Sequence, residues 1–406
     1  MLSVLVLALA VAARPDTILV TPNGATPTVA AALARAHDGD VIRVEPGTYT
    51  EPMIVVDKQV TLVGNGWPVL DGQGTHQIMS ITADDVTVRG FVFRNVGTSF
   101  VEDRAALKVT KARGCTIADN RIERAFFGIY LAAANDCWIT NNVISGVGAT
   151  EAAAGNGIHL WTSNRIHIEG NRISGHRDGI YFEFVRESEI RGNTSEHNLR
   201  YGLHFMYSDD CRYLGNTFRK NGSGVAVMYT RRVEMTANHF ENNWGAAAYG
   251  LLLKEISDAR LERNVFLRNT TGLVADGATR MIVDRNEFLE NGWAVKLDAS
   301  TVDGRMTRNN FIANTFDVAS NSREPSTVVV GNYWDAYRGY DLDHNGVGDV
   351  PFRPVRLFSM IVERHEPALL LLRSAFVDLL DVAERVMPAI TPTTLADARP
   401  AMRRLQ

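Results

Sequence analysis

Two short stretches place soft metal-ligand side chains at strand spacing. Residues 202–207 read Gly-Leu-His-Phe-Met-Tyr and residues 224–229 read Gly-Val-Ala-Val-Met-Tyr. In an extended chain alternate side chains share a face, so His204 and Met206 project together, and Met228 repeats the methionine one segment later. Imidazole with thioether is a donor set for Cu(I), and the few carboxylates nearby disfavour calcium or magnesium. Exposed methionines are unusual on a solvated sheet face. Packing of the same residues under a loop or a partner is the alternative reading, which leaves the methionines apolar contacts.

A second constellation is Asp-Leu-Asp-His-Asn-Gly-Val-Gly-Asp at 341–349. Asp341, Asp343 and Asn345 before Gly346 match the opening of a calcium loop, with Asp349 a further oxygen donor. The position of the bidentate glutamate is held by Phe352, so the match is partial. A turn rich in Asp, Asn and Gly needs no cation to form. Paired carboxylates for sugar chemistry are the third search. Asp84-Asp85 and Asp209-Asp210 fall between strands, and no acid/base pair emerges. Tyr181, Arg186 or His204 are the residues left to serve a polysaccharide lyase or epimerase.

These residues are positioned by a repeat. Asparagine followed by an apolar residue two places on recurs at Asn120, Asn142, Asn171, Asn216, Asn238, Asn264 and Asn286, with Asn193 a weaker member; the steps are 22, 29, 22, 23, 22, 26 and 22 residues. Gly-apolar-x-apolar runs in phase from Gly128, Gly157, Gly179, Gly202, Gly224, Gly250 and Gly272. Strict alternation over four residues is a strand with one buried face. Short strands, turns and no helical period predict an all-β chain: a right-handed, single-stranded parallel β-helix, a solenoid of pectin-lyase-like type. The asparagines are expected to stack as an amide ladder. A leucine-rich repeat would need a leucine consensus that is absent.

In this register the outward columns read Tyr130, His159, Tyr181, His204, Ala226, Leu252 and Ala132, Trp161, Glu183, Met206, Met228, Lys254. Neighbouring rungs lie about 4.8 Å apart and alternate residues of one strand about 6.6 Å. His204, Met206 and Met228 are thus expected to converge on one point of the surface, with His159 and Glu183 one or two rungs away. The long steps come from insertions at 146–156 and 242–249, two loops expected to wall a groove around these rungs.

The ends depart from the repeat. Residues 26–36 predict a helix capping the open coil, and the β-helix domain is expected to run over 14–353. Beyond it, 354–406 is expected to be a helical tail, with one amphipathic helix over 366–387 stopped by Pro388. Its apolar residues Leu369, Leu370, Leu372, Phe376, Leu379 and Leu380 are candidates for docking on a membrane partner, while its charges argue against a membrane span. Residues 1–13, MLSVLVLALAVAA, read as a signal peptide with small residues at the cleavage site, although no Lys or Arg precedes the apolar run. Export out of the cytoplasm is expected.

The 406 residues are 45% hydrophobic and carry a net charge of −4, with no basic tract, so nucleic acid is not an expected partner. Three cysteines cannot build a disulfide framework. Cys115, Cys137 and Cys211 each lie five residues before a repeat asparagine, in a column shared with Ile166, Val233, Ala259 and Met281, and are expected to be inert core thiols.

The capping region with GDVIRVEPGTY, the Asn/Gly rungs, the segment GNYWDAYRGYDLDHNGVGDVPF at 331–352 and the tail RLFSMIVERHEPALLLLRSAF resemble the nitrous oxide reductase maturation family NosD. The resemblance spans essentially the whole chain; the rungs alone indicate only the broader carbohydrate-binding and sugar-hydrolase β-helix superfamily. It implies a periplasmic, non-enzymatic subunit of an ABC-type transporter complex. Its implied partners are a membrane permease, a cytoplasmic ATPase, a lipoprotein copper chaperone and nitrous oxide reductase, with copper as the metal handled. It transfers no metal site to particular residues. A metal-free scaffold that docks the reductase remains an alternative that the sequence leaves open.

Overall fold

The computed structural model describes residues 15–99, 101–322, 326–387 and 395–406. The expected signal peptide, residues 1–13, lies outside the described residues.

The described chain coils into a parallel β-solenoid. Three sheets run along it, of 14 strands from Thr17–Val20 to Val328–Val330, 12 strands from Ile54–Val56 to Phe316–Ser320, and 13 strands from Thr48–Tyr49 to Tyr333–Trp334. The pairings between successive rungs are parallel and, apart from one shift between Ile122 and Ala125, in register, which stacks equivalent repeat positions on one another. One continuous core fills the coil, built from the inward residue of each short strand. Cys115, Cys137 and Cys211 lie within it, buried and free. Burial pushes the Cys211 thiol up to about 12, so it stays protonated and unreactive.

Two amide ladders hold the turns. In the first, each asparagine donates its backbone N–H and Nδ2 to Oδ1 of the asparagine one rung on, as Asn193 does to Asn216 at 2.9 and 3.0 Å. This is the expected ladder. A second runs from Asn198 through Asn221, Asn243, Asn269 and Asn291 to Asn314, always five residues after a member of the first. Buried amides are costly without partners, and along both ladders the asparagine of the next rung supplies the acceptor oxygen. Beside them Phe218, Phe240, Phe266, Phe288, Phe311 and Trp334 stack with centroids 4.0–5.7 Å apart.

The repeating glycine has a steric cause. A Cβ on Gly224 would lie 2.2 Å from the carbonyl oxygen of Gly250, and one on Gly202 would lie 2.9 Å from that of Gly224. The next rung's backbone occupies the space of the side chain. In the last strand of this sheet, Phe316–Ser320, no rung follows, and Asp317 takes the position preceding the inward Val318.

The N-terminal cap is a helix, α1 (Val29–Arg35), shorter than the expected 26–36 because Thr28 is its N-cap. Thr28 Oγ1 accepts from Ala31 N–H, and the Glu51 carboxylate accepts from Val29 and Ala30 N–H at 2.7 and 2.9 Å. Lys58 Nζ closes the other end on the Leu33 and Ala36 carbonyls.

The tail differs from one continuous helix. α2 (Leu357–Arg364) is followed by a 3-10 turn (Glu366–Leu371) and α3 (Ala375–Val386). Arg373, between the two elements, adopts a left-handed φ of 69°, so the apolar run breaks in two there. Nor does the helical character persist to the C-terminus. Residues 395–401 return to the coil, where Asp397 bridges to Val329 and Phe352 and Ala401 to Tyr333.

Candidate functional site

The outward columns of the 12-stranded sheet carry the candidate residues in the expected register. Tyr130, His159, Tyr181, His204 and Ala226 are successive register partners, as are Trp161, Glu183, Met206, Met228 and Lys254. Met206 and Met228 are therefore directly paired across two rungs, both half-buried. Tyr181 donates its hydroxyl towards Glu183 Oε2 at 3.5 Å and Met206 Sδ at 3.9 Å. Burial and the neighbouring Glu183 push its phenol up to about 12, so it remains a donor.

His204 does not lie on the surface as expected. It projects away from the coil but retains 5% exposure. The Tyr181 ring meets it edge-on at 5.0 Å and the Tyr201 ring at 4.8 Å. Tyr201 is itself held by the hydroxyl of Tyr249 at 3.3 Å and by the Arg200 guanidinium over its ring. The bulky outward aromatics and the insertion ending at Tyr249 thus roof the imidazole. Neither ring nitrogen has a hydrogen-bond partner among the described residues. Asp178 Oδ2 faces His204 Nδ1 at 3.8 Å.

His159 is separated from this group. Its ring is sandwiched between Tyr130 at 4.3 Å and Tyr181 at 4.7 Å, and Asn156 Nδ2 meets its Nδ1 at 2.9 Å. Burial, with Arg177 nearby, lowers its pKa to about 3, leaving a neutral imidazole engaged in a stack. Glu183 lies between Trp161 and Met206 in its column and accepts from Tyr181. The structure places Met206 and Met228 in register on adjacent rungs, with Glu183 in register beside Met206 and His204 two residues before Met206 on the same strand, and it leaves His159 two rungs off. Among the described residues no three His, Cys, Asp or Glu side chains are placed to hold a metal together, so a metal on these columns would need thioether ligands.

Both insertions reach the site. The 146–156 loop folds through a 3-10 turn at Glu151–Ala153, and its Gly155 carbonyl and Asn156 Oδ1 accept from Arg177. Arg177 in turn binds Asp178. Sequence reasoning missed Asp178, Tyr201 and Tyr249, each immediately before a repeat glycine or the strand it opens. An acid and two tyrosines in one corner column were the available signal.

The 341–349 loop is closed by its own side chains. Asp341 accepts from the N–H groups of Asn345 and Gly346, Asp343 from Asn345 Nδ2, and Asp349 from Leu342 N–H. Asn345 Oδ1 accepts from Val347 N–H. Asp341, Asp343, Asn345 and Asp349 each accept hydrogen bonds within the loop, which forms an Asx-rich turn held by its own side chains.

On the tail, Leu369, Leu370, Leu372, Phe376 and Leu379 are exposed, Leu370 at 89%. Leu380 is not: it packs inward on the cluster of Trp293, Phe316, Ala319, Phe358 and Val362. The helix has two apolar faces, and Leu380 belongs to the one that attaches it to the coil.

With this geometry in view, the comparisons with known proteins are specific. Residues 141–339 match the family described as "Periplasmic copper-binding protein (NosD)". The probable ABC transporter binding protein NosD of Pseudomonas aeruginosa is 31% identical over 368 residues, covering 86% of this chain and 85% of the relative. The chain belongs to the NosD family. A second NosD relative, the probable ABC transporter binding protein of Stutzerimonas stutzeri, is 26% identical over 381 residues, 89% and 86% of the two chains. Among solved structures, the surface adhesin PfbA of Streptococcus pneumoniae superposes with a TM-score of 0.57 at 11% identity, over 80% of this chain and 91% of that one. That likeness shows the β-solenoid alone. Among the described residues no helix is long and apolar enough to cross a membrane.

Proposed function

We propose that this member of the NosD family is a periplasmic, non-enzymatic subunit that receives Cu(I) as cargo and serves the assembly of the copper centres of nitrous oxide reductase. It works within an ABC-type complex of a membrane permease and a cytoplasmic ATPase, supplied by a lipoprotein copper chaperone. Residues 1–13 direct its export. The observation that carries this reading is the pairing of Met206 with Met228 on adjacent rungs, beside a buried histidine whose ring nitrogens are unpartnered. Two thioethers and an imidazole form a soft site that favours Cu(I) and rejects hard cations.

The rigid coil presents the ligands, and the tail couples them to the membrane. α2 packs on the last rungs through Phe358 and Val362, and the exposed face of α3 is left for the permease. Movement of the permease, driven by ATP, would reach the coil through these helices and alter its hold on the metal or on the client reductase.

X-ray absorption of the anaerobically Cu(I)-loaded protein tests the ligand set. Two sulfur scatterers and one nitrogen scatterer are expected, with the sulfur contribution lost in Met206→Leu/Met228→Leu. An unchanged sulfur shell in the variant would remove these methionines from the site.

A further inference from the structure

We propose that Asp178 is the positioning residue of His204, holding the imidazole with its proton on Nδ1 so that Nε2 offers its lone pair to Cu(I). This rests on the copper reading above and names a part of that site outside the His/Met set.

Asp178 is fully buried, at 0% exposure, which a carboxylate tolerates only with its oxygens engaged. Tyr201 N–H donates to Oδ1 at 3.3 Å, and Arg177 Nε donates to Oδ2 at 3.2 Å. Oδ2 also faces His204 Nδ1 at 3.8 Å, a gap that a small side-chain rotation closes to a hydrogen bond. The other polar groups around the imidazole are committed elsewhere. The Tyr181 hydroxyl donates towards Glu183 and Met206, the Tyr201 hydroxyl oxygen accepts from Tyr249 and Arg200, and neither hydroxyl is hydrogen-bonded to the imidazole. A neutral histidine has one donor and one acceptor nitrogen. Asp178 is an acceptor beside Nδ1, which assigns the proton to Nδ1 and the free lone pair to Nε2. Carboxylates commonly fix metal-binding histidines in this way, and their removal typically weakens metal binding about 10- to 100-fold.

The arrangement also gives the 146–156 insertion a purpose. Its Gly155 carbonyl and Asn156 amide hold Arg177, which holds Asp178 against the histidine.

The test uses the full-length protein. Selective 15N-histidine NMR of the metal-free protein, with His204 assigned by its loss in His204→Ala, is expected to show the Nδ1-protonated tautomer. A proton on Nε2 in the wild type overturns the proposal without any variant. Anaerobic competition titration with Cu(I) is expected to show Asp178→Asn binding about 10-fold or more weaker than wild type, with no further loss when it is added to His204→Ala. An unchanged affinity in Asp178→Asn, or an equal additional loss in the His204→Ala background, overturns it. Failure of the wild type to bind Cu(I) at all overturns the copper reading itself and this proposal with it.

Discussion

Asp397 takes the place of the missing next rung for Asn332. Its Oδ2 accepts from Asn332 N–H at 2.9 Å and Nδ2 at 3.1 Å, as the following asparagine's oxygen does elsewhere in the ladder. The same carboxylate accepts from Gly331 N–H and Trp334 Nε1. Residues 395–401 thus close the C-terminal end of the coil as α1 closes the other.

Replacing this cap is therefore expected to unravel the last rungs. Asp397→Ala leaves several buried donors unpaired, each at about 1–3 kcal/mol, so a loss of roughly 3–5 kcal/mol is expected. Guanidinium unfolding and amide exchange over 329–334 check it. Exchange protection unchanged there would show that the tail contributes nothing to the coil.

A buried acid lies where the tail meets the coil. Asp317 in the last strand of the 12-stranded sheet is pushed up to about 7 by burial, opposed by the Arg356 guanidinium and reinforced by Asp335. Asn314 Nδ2 reaches it at 3.5 Å. In the unfolded chain this carboxyl ionises near its ordinary value of 3.8. Between about pH 4 and 7 the folded state holds the proton more tightly, so stability falls as pH rises and levels off above 7. The penalty is at most about 4 kcal/mol. Asp317→Asn should be more stable than wild type at pH 7.5 and should lose that part of the pH dependence. Parallel pH profiles for the two proteins would contradict this.

The two faces of α3 are separable by mutation. Phe376, Leu379, Val382 and Val386 recur at helical spacing and are exposed, whereas Val377 and Leu380 pack towards the coil. Leu379→Asp should abolish co-purification with the membrane partners and leave the unfolding transition within about 0.5 kcal/mol of wild type. Leu380→Ala should cost about 1–2 kcal/mol, less than a full core truncation because the site is partly exposed. Equal effects of both on docking would merge the two faces.

Periodicity made the coil legible. Asn-x-apolar and Gly-apolar-x-apolar repeat with a rung's period, and the register they imply placed Met206 opposite Met228 without coordinates. Burial on the outward face was less readable. His204 occupies an outward position, yet Tyr181 and Tyr201 roof it, because ring size and insertion length decide exposure and strand alternation does not. Asp178 is a related case: it opens its strand one residue before the repeat glycine, and its burial against His204 follows from the neighbouring rungs and not from its own strand's alternation. The second amide ladder is legible only as a constant offset of five residues from the first, because Asn198, Asn221, Asn243 and Asn269 lack the apolar residue two places on that marks the first ladder. In the tail, the left-handed Arg373 breaks a run whose composition favours one helix.

Copper on the Met206–Met228 pair with His204 is open to a direct measurement. Anaerobic titration with Cu(I) against a chromophoric chelator, comparing the mature wild type with His204→Ala/Met206→Ala/Met228→Ala, measures it directly. Tight binding of one equivalent by the wild type, lost in the triple variant at unchanged stability of the coil, is the predicted result. Equal binding by both proteins, or none by either, would contradict it and turn these side chains into contacts for a docked partner.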